Sequence, residues 1–270
     1  MSWPLLDICP GYWRNYGTEG ILLIKYVLLF FHDLLRLQSI LAKVDGDTFH
    51  ILHLLHKHYL PADLPVAMTS GQFMQSATDL DHTGVKFESH NAKSQLQLHN
   101  ARISPFQVEF QAPCGVKSWW FFKACFKIST LHINDSTELF LRNLIAFEQC
   151  CPLIKRYVTS YAFVMDKLIN TAKDVDVLQK AGIVCNYLGS HKDASELFNK
   201  LCSEVAIGDF YFSETCEKAD KYSRRCWSQA VAHMRRNNFA TPWAYIAFCV
   251  AFLVFFSSLI VQAPNLTNAF

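Results

Sequence analysis

Several familiar signatures are missing from this 270-residue chain. It has no G-x-S-x-G turn for a nucleophilic serine, no G-x-x-x-x-G-K-[ST] phosphate loop and no G-x-G-x-x-G dinucleotide loop. No pair of carboxylates has a spacing that marks an acid/base couple; Glu138 and Glu148 stand ten residues apart. The ten cysteines include no C-x-x-C pair. In a chain of this length they do not make a disulfide scaffold, and reduced, mostly buried thiols are expected. A net charge of +2 supplies no strong field for nucleic acid. No repeat and no low-complexity segment interrupts the chain. The N-terminus lacks the pattern of a secretory leader, because Asp7, Arg14 and Glu19 are charged and Pro4 and Pro10 break any helix.

The longest absence lies at the other end. Between Asn237 and Phe270 there is no Lys, Arg, Asp or Glu. Within that stretch runs an apolar segment of Trp243, Ala244, Tyr245, Ile246, Ala247, Phe248, Cys249, Val250, Ala251, Phe252, Leu253, Val254, Phe255, Phe256, Ser257, Ser258, Leu259, Ile260 and Val261. As one helix it would reach about 28 Å, the thickness of a bilayer's hydrocarbon core. The pattern predicts a single-pass C-terminal anchor with the lipid bilayer as a partner. Lys218, Lys221, Arg224, Arg225, Arg235 and Arg236 precede it and no basic residue follows. That asymmetry predicts a cytoplasmic body and a luminal or extracellular tail. Asn265-Leu-Thr267 has the form of a glycosylation acceptor, but its closeness to the expected membrane edge makes it a chance match.

What remains is read as a body of helices with a small β segment at about residues 84–134. Apolar positions at three- and four-residue spacing predict a core helix over 21–42. A second helix over 48–59 is expected to take Asp47 as its cap, and a third spans 66–82 with Ser70 as a candidate cap. Alternation predicts strands at 85–88, 106–110 and 131–134. Helical periodicity returns from Asp135, with Asp135 or Ser136 as cap and Glu138 as the capping-box acid. Further helices are expected across 157–169, 174–181, 190–201 and 210–238.

Two groupings could carry chemistry. His50, His53, His56 and His58 crowd one short helix, and three-residue spacing places His50 with His53 and His53 with His56 on shared faces. Such imidazoles can hold zinc, so a metal-dependent enzyme is the alternative to a non-catalytic protein. No Glu or Cys lies among them in a zinc-site spacing, and a helix with histidines packed or solvated is the plainer reading. Cys150-Cys151 is a vicinal pair before Pro152, expected as two small residues at a helix end. Cys226, in a basic helix, is a candidate for palmitoylation. No catalytic residue, metal ligand or cofactor is assigned.

Several stretches resemble one plant family. Ser76-Ala-Thr-Asp-Leu80, followed by Gly84-Val-Lys-Phe87, is similar to the "SATEL…AGVKF" stretch of the DUF247 (UPF0481) proteins. The segment containing Asp135, Ser136, Thr137, Glu138, Arg142, Asn143, Phe147 and Glu148 resembles their most recognisable motif. Lys173-Asp-Val175, Leu188-Gly-Ser190, Leu197-Phe-Asn199 and Asn238-Phe-Ala-Thr-Pro-Trp243 follow in family order, and His53–Pro61 is similar to a His-rich linker. The resemblance covers about residues 50–262. It implies a plant membrane protein without established catalytic residues, with some members implicated in pollen–stigma self-recognition. The expected role is therefore recognition or scaffolding at a membrane, with unidentified protein partners. Two departures stand out. Residues 1–45 match poorly and form a separate N-terminal region ahead of a body at 46–236 and an anchor and tail at 237–270. Val116–Phe126 reads as an insertion. Together they imply a truncated gene product as a further alternative.

Overall fold

The computed structural model describes residues 26–27, 29–30, 50–61, 63–68, 74–90, 104–112, 124–224, 250–251, 253–255 and 257. The first named helix, α1, spans Ile51–Tyr59 and is followed by α2, Ala77–His82. Strands β1 (Lys86–Ser89), β2 (Val108–Gln111), β3 (Cys125–Ile128) and β4 (Leu131–Ile133) come next. Helices α3 (Thr137–Cys150), α4 (Tyr157–Leu168) and α5 (Ala172–Lys180) lead to strand β5 (Val184–Asn186). Two helices, α6 (His191–Leu201) and α7 (Ser213–Ser223), complete the named elements.

The strands form two sheets. In the first, β3 lies in the middle, parallel to β1 and antiparallel to β2, with Phe126 opposite both Phe87 and Phe110. In the second, β4 and β5 pair in parallel, with Leu131 opposite Val184 and Ile133 opposite Asn186. The α3–α4–α5 helices connect those two strands, as a parallel pair requires of its crossover. This connection corrects the expected fold class. The chain is mixed α/β rather than mainly α with strands confined to 84–134, because β5 lies deep in the helical half. Val184-Cys-Asn186 places no apolar residue two positions after Val184, unlike Leu131-His-Ile133, so no alternation marks it.

The buried core is continuous across both sheets and the helices. Phe106, Phe126, Ile128, Ile133, Leu144, Tyr161, Met165, Leu178 and Phe198 are all sealed from solvent. Cys125 and Phe126, at the end of the stretch read as inserted, open β3, the central strand of its sheet. Of the helix expected over 21–42, Tyr26, Val27, Leu29 and Phe30 are described; all four are helical, and Tyr26 and Phe30 are exposed, unlike core residues.

Some boundaries differ from expectation for local reasons. The cap of α1 is His50, whose Nδ1 accepts from His53 N at 3.2 Å; Asp47 lies outside the described residues. The third helix is shorter than the segment 66–82, since Ser76 caps α2 through Asp79 N. Met68 instead exchanges backbone hydrogen bonds with Phe210, which fixes that segment as extended chain. At the start of α3, Ser136 occupies the cap position without a side-chain capping bond. Asn134 organises the turn instead: its Oδ1 accepts from Ser136 N at 3.1 Å and from Ser136 Oγ at 2.9 Å. Glu138 turns outward and pairs with Arg142 at 2.8 Å.

The membrane expectation is overturned. Among the described residues, no helix is long and apolar enough to cross a membrane. Of the apolar segment, Val250, Ala251, Leu253, Val254, Phe255 and Ser257 are described; they are helical and exposed. The other thirteen residues, Trp243–Cys249, Phe252, Phe256 and Ser258–Val261, lie outside the described residues. An uncharged apolar run meets the hydropathy condition for spanning, but a span also needs about twenty continuous helical residues. The single-pass assignment, the membrane localisation and the sidedness drawn from the flanking charges all rested on that helix. Of the orientation-setting residues, Arg224 terminates α7 and pairs with Asp220 at 2.7 Å. Arg225, Arg235, Arg236 and Cys226 lie outside the described residues.

Candidate functional site

Helix α3 is the element to which most of the fold refers. Its inner face carries Leu141, Leu144, Ile145 and Glu148 at helical spacing, and all four are buried. A carboxylate at such a position is costly unless every oxygen finds a donor. Glu148 meets that condition. Its Oε1 accepts from His56 Nε2 at 2.7 Å and from Val158 N at 2.9 Å. Its Oε2 accepts from Thr159 N at 2.7 Å and from the Thr159 hydroxyl.

The backbone donors explain why the acid is there. Val158 and Thr159 belong to the first turn of α4, whose N–H groups have no helical acceptor. The residue at the cap position is Arg156, which has no acceptor to offer and makes no side-chain cap. Glu148 supplies the missing cap from the preceding helix, and its charge faces the positive end of the α4 dipole. His56 closes the same node from α1, and its Nε2 also reaches the Lys155 carbonyl at 3.1 Å. Donation from Nε2 to both oxygens fixes the proton on that nitrogen.

Phe147, next along α3, anchors the other histidines. The rings of His50, His53 and His56 surround it with centroids 5.0, 5.8 and 5.6 Å away. Burial lowers the pKa of His50. Burial, with the charges of Lys57, His50 and His56, brings His53 down to about 4. The three imidazoles are therefore a packed wrapping around an aromatic ring, with burial disfavouring the charged form of His50 and His53 and with His50 Nδ1 committed to the α1 cap. Among the described residues, no group of three or more His, Cys, Asp or Glu side chains could hold a metal ion.

The remaining motif residues divide between the frame and the surface. Thr137 Oγ1 accepts from Asn134 N at 2.9 Å and closes the turn into α3. Arg142 reaches the Lys200 carbonyl at 3.3 Å, placing a cation at the C-terminus of α6. Gln149 donates to the Ala206 carbonyl at 3.1 Å. Asp135 and Asn143 face solvent. A second buried acid, Asp174, ties α5 to α2: Oδ1 accepts from Thr78 N at 2.8 Å, and Oδ2 from Thr171 N at 2.9 Å.

The outer face of α3 is the other notable surface. Leu139, Asn143, Ala146 and Cys150 follow one another along it and are all exposed. Leu139 is 65% exposed, and Leu153, in the turn that follows the helix, is 96% exposed. Cys150 is thus the open member of the vicinal pair, while Cys151 is half-buried, its thiol pushed up by burial and by Cys150.

Sequence reasoning missed the Glu148–His56–Thr159 node and the exposure of Leu139 and Leu153. Glu148 was visible as an acid on the apolar stripe of α3, which demands a buried partner. Leu139 offered no such signal, since an apolar residue beside Leu141 and Leu144 reads as core.

Comparison with known proteins agrees with the motifs. The model of the DUF247 family, described as plant protein of unknown function, matches residues 15–257. A putative UPF0481 protein of Arabidopsis thaliana is 25% identical over 130 residues, covering 48% of this chain. The match spans only about a quarter of that relative's length, 25%. No solved structure matches. With the family model covering most of the chain, and the Asp135–Glu148 motif building the centre of the fold, the chain belongs to the plant DUF247 (UPF0481) family.

Proposed function

We propose that this protein is a non-catalytic recognition scaffold that engages a protein partner through the outer face of α3. The observation that carries the reading is a pair of exposed leucines: Leu139 on the outer face of α3, 65% exposed, and Leu153 in the turn that follows the helix, 96% exposed. Burying one such leucine against a partner contributes about 2 kcal/mol, so leucines left in water mark a surface with something to gain by contact. The inner face of the same helix is fixed by Glu148, Phe147 and their partners. A rigid helix presents its outer side chains with little ordering cost on binding.

The chemistry elsewhere supports a scaffold. Glu148 has both oxygens engaged by backbone and side-chain donors, which leaves it no lone pair directed at a substrate. His56 is held by the same node. The net charge of +2 favours a protein partner over nucleic acid.

Quantitative partner capture tests the reading. Tagged wild-type chain is compared with Leu139→Asp, whose exposed position leaves the core intact. The scaffold reading expects a defined set of co-purifying proteins, depleted at least fivefold by the substitution, with the melting temperature unchanged. Recovery of the same proteins in the same amounts from the variant contradicts it.

A further inference from the structure

We infer that Cys150 and Cys151 form a redox site, a vicinal dithiol that closes reversibly into a disulfide by exchange with a small disulfide of the glutathione class. The inference stands apart from the recognition reading and uses none of its leucines.

The local sequence sets the geometry. Cys150 is the last residue of α3, and Cys151 N still donates to Phe147 O at 3.1 Å, so Cys150 keeps helical backbone. Pro152 follows, and the ring of a proline drives the residue before it out of the helical region. Cys151 accordingly has φ −112° and ψ 97°. A helical residue followed by an extended one is the backbone of a type VIII turn. Two successive extended residues point their Cβ atoms to opposite sides, and two helical ones turn them about 100° apart around the axis. A helical ψ of about −42° followed by a φ of −112° instead sets both Cβ atoms on the same side of the peptide that joins them. The turn thus holds the two sulfurs on one side of the chain.

Exposure orders the two thiols. Cys150 is exposed, as are Pro152 and Leu153 beside it, whereas Cys151 is half-buried and its thiol is pushed up by burial and by Cys150. The Cys150 thiolate is therefore the one that attacks the incoming disulfide. Its sulfur bonds to one sulfur of the oxidant, and the other leaves as a thiolate that takes up a proton. Cys151 then gives up its proton and attacks the Cys150 sulfur, expelling the second external thiol. One external disulfide and two cysteine thiols become one internal disulfide and two external thiols. Elsewhere, burial pushes Cys202 and Cys216 up to about 12, which keeps them out of such exchange.

The bond is suited to reversal. Adjacent Cα atoms stand about 3.8 Å apart, below the roughly 4.4 Å at which ordinary disulfides begin, so the ring is readily reduced again. Disulfides of that kind are labile and regulatory rather than structural. The position also matters. Cys151 O accepts from Ile154 N at 3.0 Å, which builds the pair into the turn between α3 and α4.

Peptide mapping of the purified full chain, reduced and then incubated with oxidised glutathione, tests this. Cleavage after Arg142 and Lys155 releases Asn143–Lys155, which holds this pair and no other cysteine. The expected product is that peptide lighter by two hydrogens, closed to alkylation and reopened by dithiothreitol. Cys151→Ser should stop at a glutathione adduct on Cys150. Pro152 is exposed, so Pro152→Ala leaves the core intact. It should slow closure about tenfold and let the adduct build up, because the helical region is then open to Cys151. A wild-type peptide that stays fully alkylated, or that ends as a stable glutathione adduct, overturns the proposal. So does a bridge from either cysteine to a third, or closure in Pro152→Ala at the wild-type rate.

Discussion

His56 Nε2 stands 2.7 Å from Glu148 Oε1, although the two are 92 positions apart in the chain, and both side chains are closed to solvent. The contact joins α1 to the family motif on α3 and, through Val158 and Thr159, to the first turn of α4. Three helices are thereby referred to one carboxylate.

Replacing that carboxylate is expected to be expensive. Glu148→Gln keeps the shape but turns an amide donor toward backbone donors, leaving N–H groups of α4 unsatisfied. We expect a loss of about 3 kcal/mol in urea unfolding. His56→Leu should cost a similar amount by leaving a buried charge short of a partner. The double variant should cost at least about 1 kcal/mol less than the sum, since the two act as one node. Additive losses would show that the contact is incidental.

Acid sensitivity should begin with His53. Its folded pKa, about 4, lies below the unfolded value of about 6.5, so the unfolded chain binds the proton first. The contribution is fully present above about pH 6.5 and is lost as pH falls toward 4. Stability of the wild type should therefore decline across that window. His53→Phe keeps an aromatic ring against Phe147 and should flatten the decline. An unchanged slope in the variant would remove His53 as the source.

Asp174 acts at lower pH. Burial raises its pKa, but the hydrogen bonds from Thr78 and Thr171 outweigh this and leave it lowered. A carboxylate depressed in the folded state stabilises above its unfolded pKa, about 3.9, and that stability is lost as pH falls through the folded value. Asp174→Asn should flatten the acid limb below about pH 4 and leave the His53 window untouched. Loss of slope in the His53 window instead would contradict the assignment.

Two turn residues offer a test independent of charge. Gly189 has φ +79° and nothing within 4 Å of where a Cβ would stand. Gly189→Ala should cost about 1 kcal/mol from backbone conformation alone. Glu204, with φ +66°, is the converse, and Glu204→Gly should stabilise by up to about 1 kcal/mol. Thermal unfolding of both variants reads the two signs directly; like signs would contradict the argument.

The helices were legible where an amphipathic stripe ran long enough, as in α6, whereas α5 begins at Ala172 rather than at 174 because Thr171 and Asp174 form its capping box. Strands β1, β2 and β4 showed alternation. Strand β5 did not, because Val184-Cys-Asn186 lacks the second apolar residue that Ile133 supplies in β4. The Cys125–Ile128 strand was hidden behind a family comparison that treated its first residues as an insertion. At the apolar C-terminal run the composition signalled a membrane span, and among the described residues no helix is long and apolar enough to cross a membrane. At the site, Glu148 was named as a motif residue but its role was not, since a cap donated from another helix depends on tertiary placement. The outer face of α3 was not legible, because Leu139 is as apolar as the core leucines Leu141 and Leu144 and only its exposure separates it from them.

A photocrosslinking amino acid placed at Leu139 of the full chain, in the cells that express it, tests the recognition face most directly. The same group at Lys180, an exposed residue of α5, serves as control. The account predicts discrete covalent adducts from position 139, whether to a second copy or to another protein, and none of matching yield from position 180. Equal labelling at both positions, or none at 139, would contradict it.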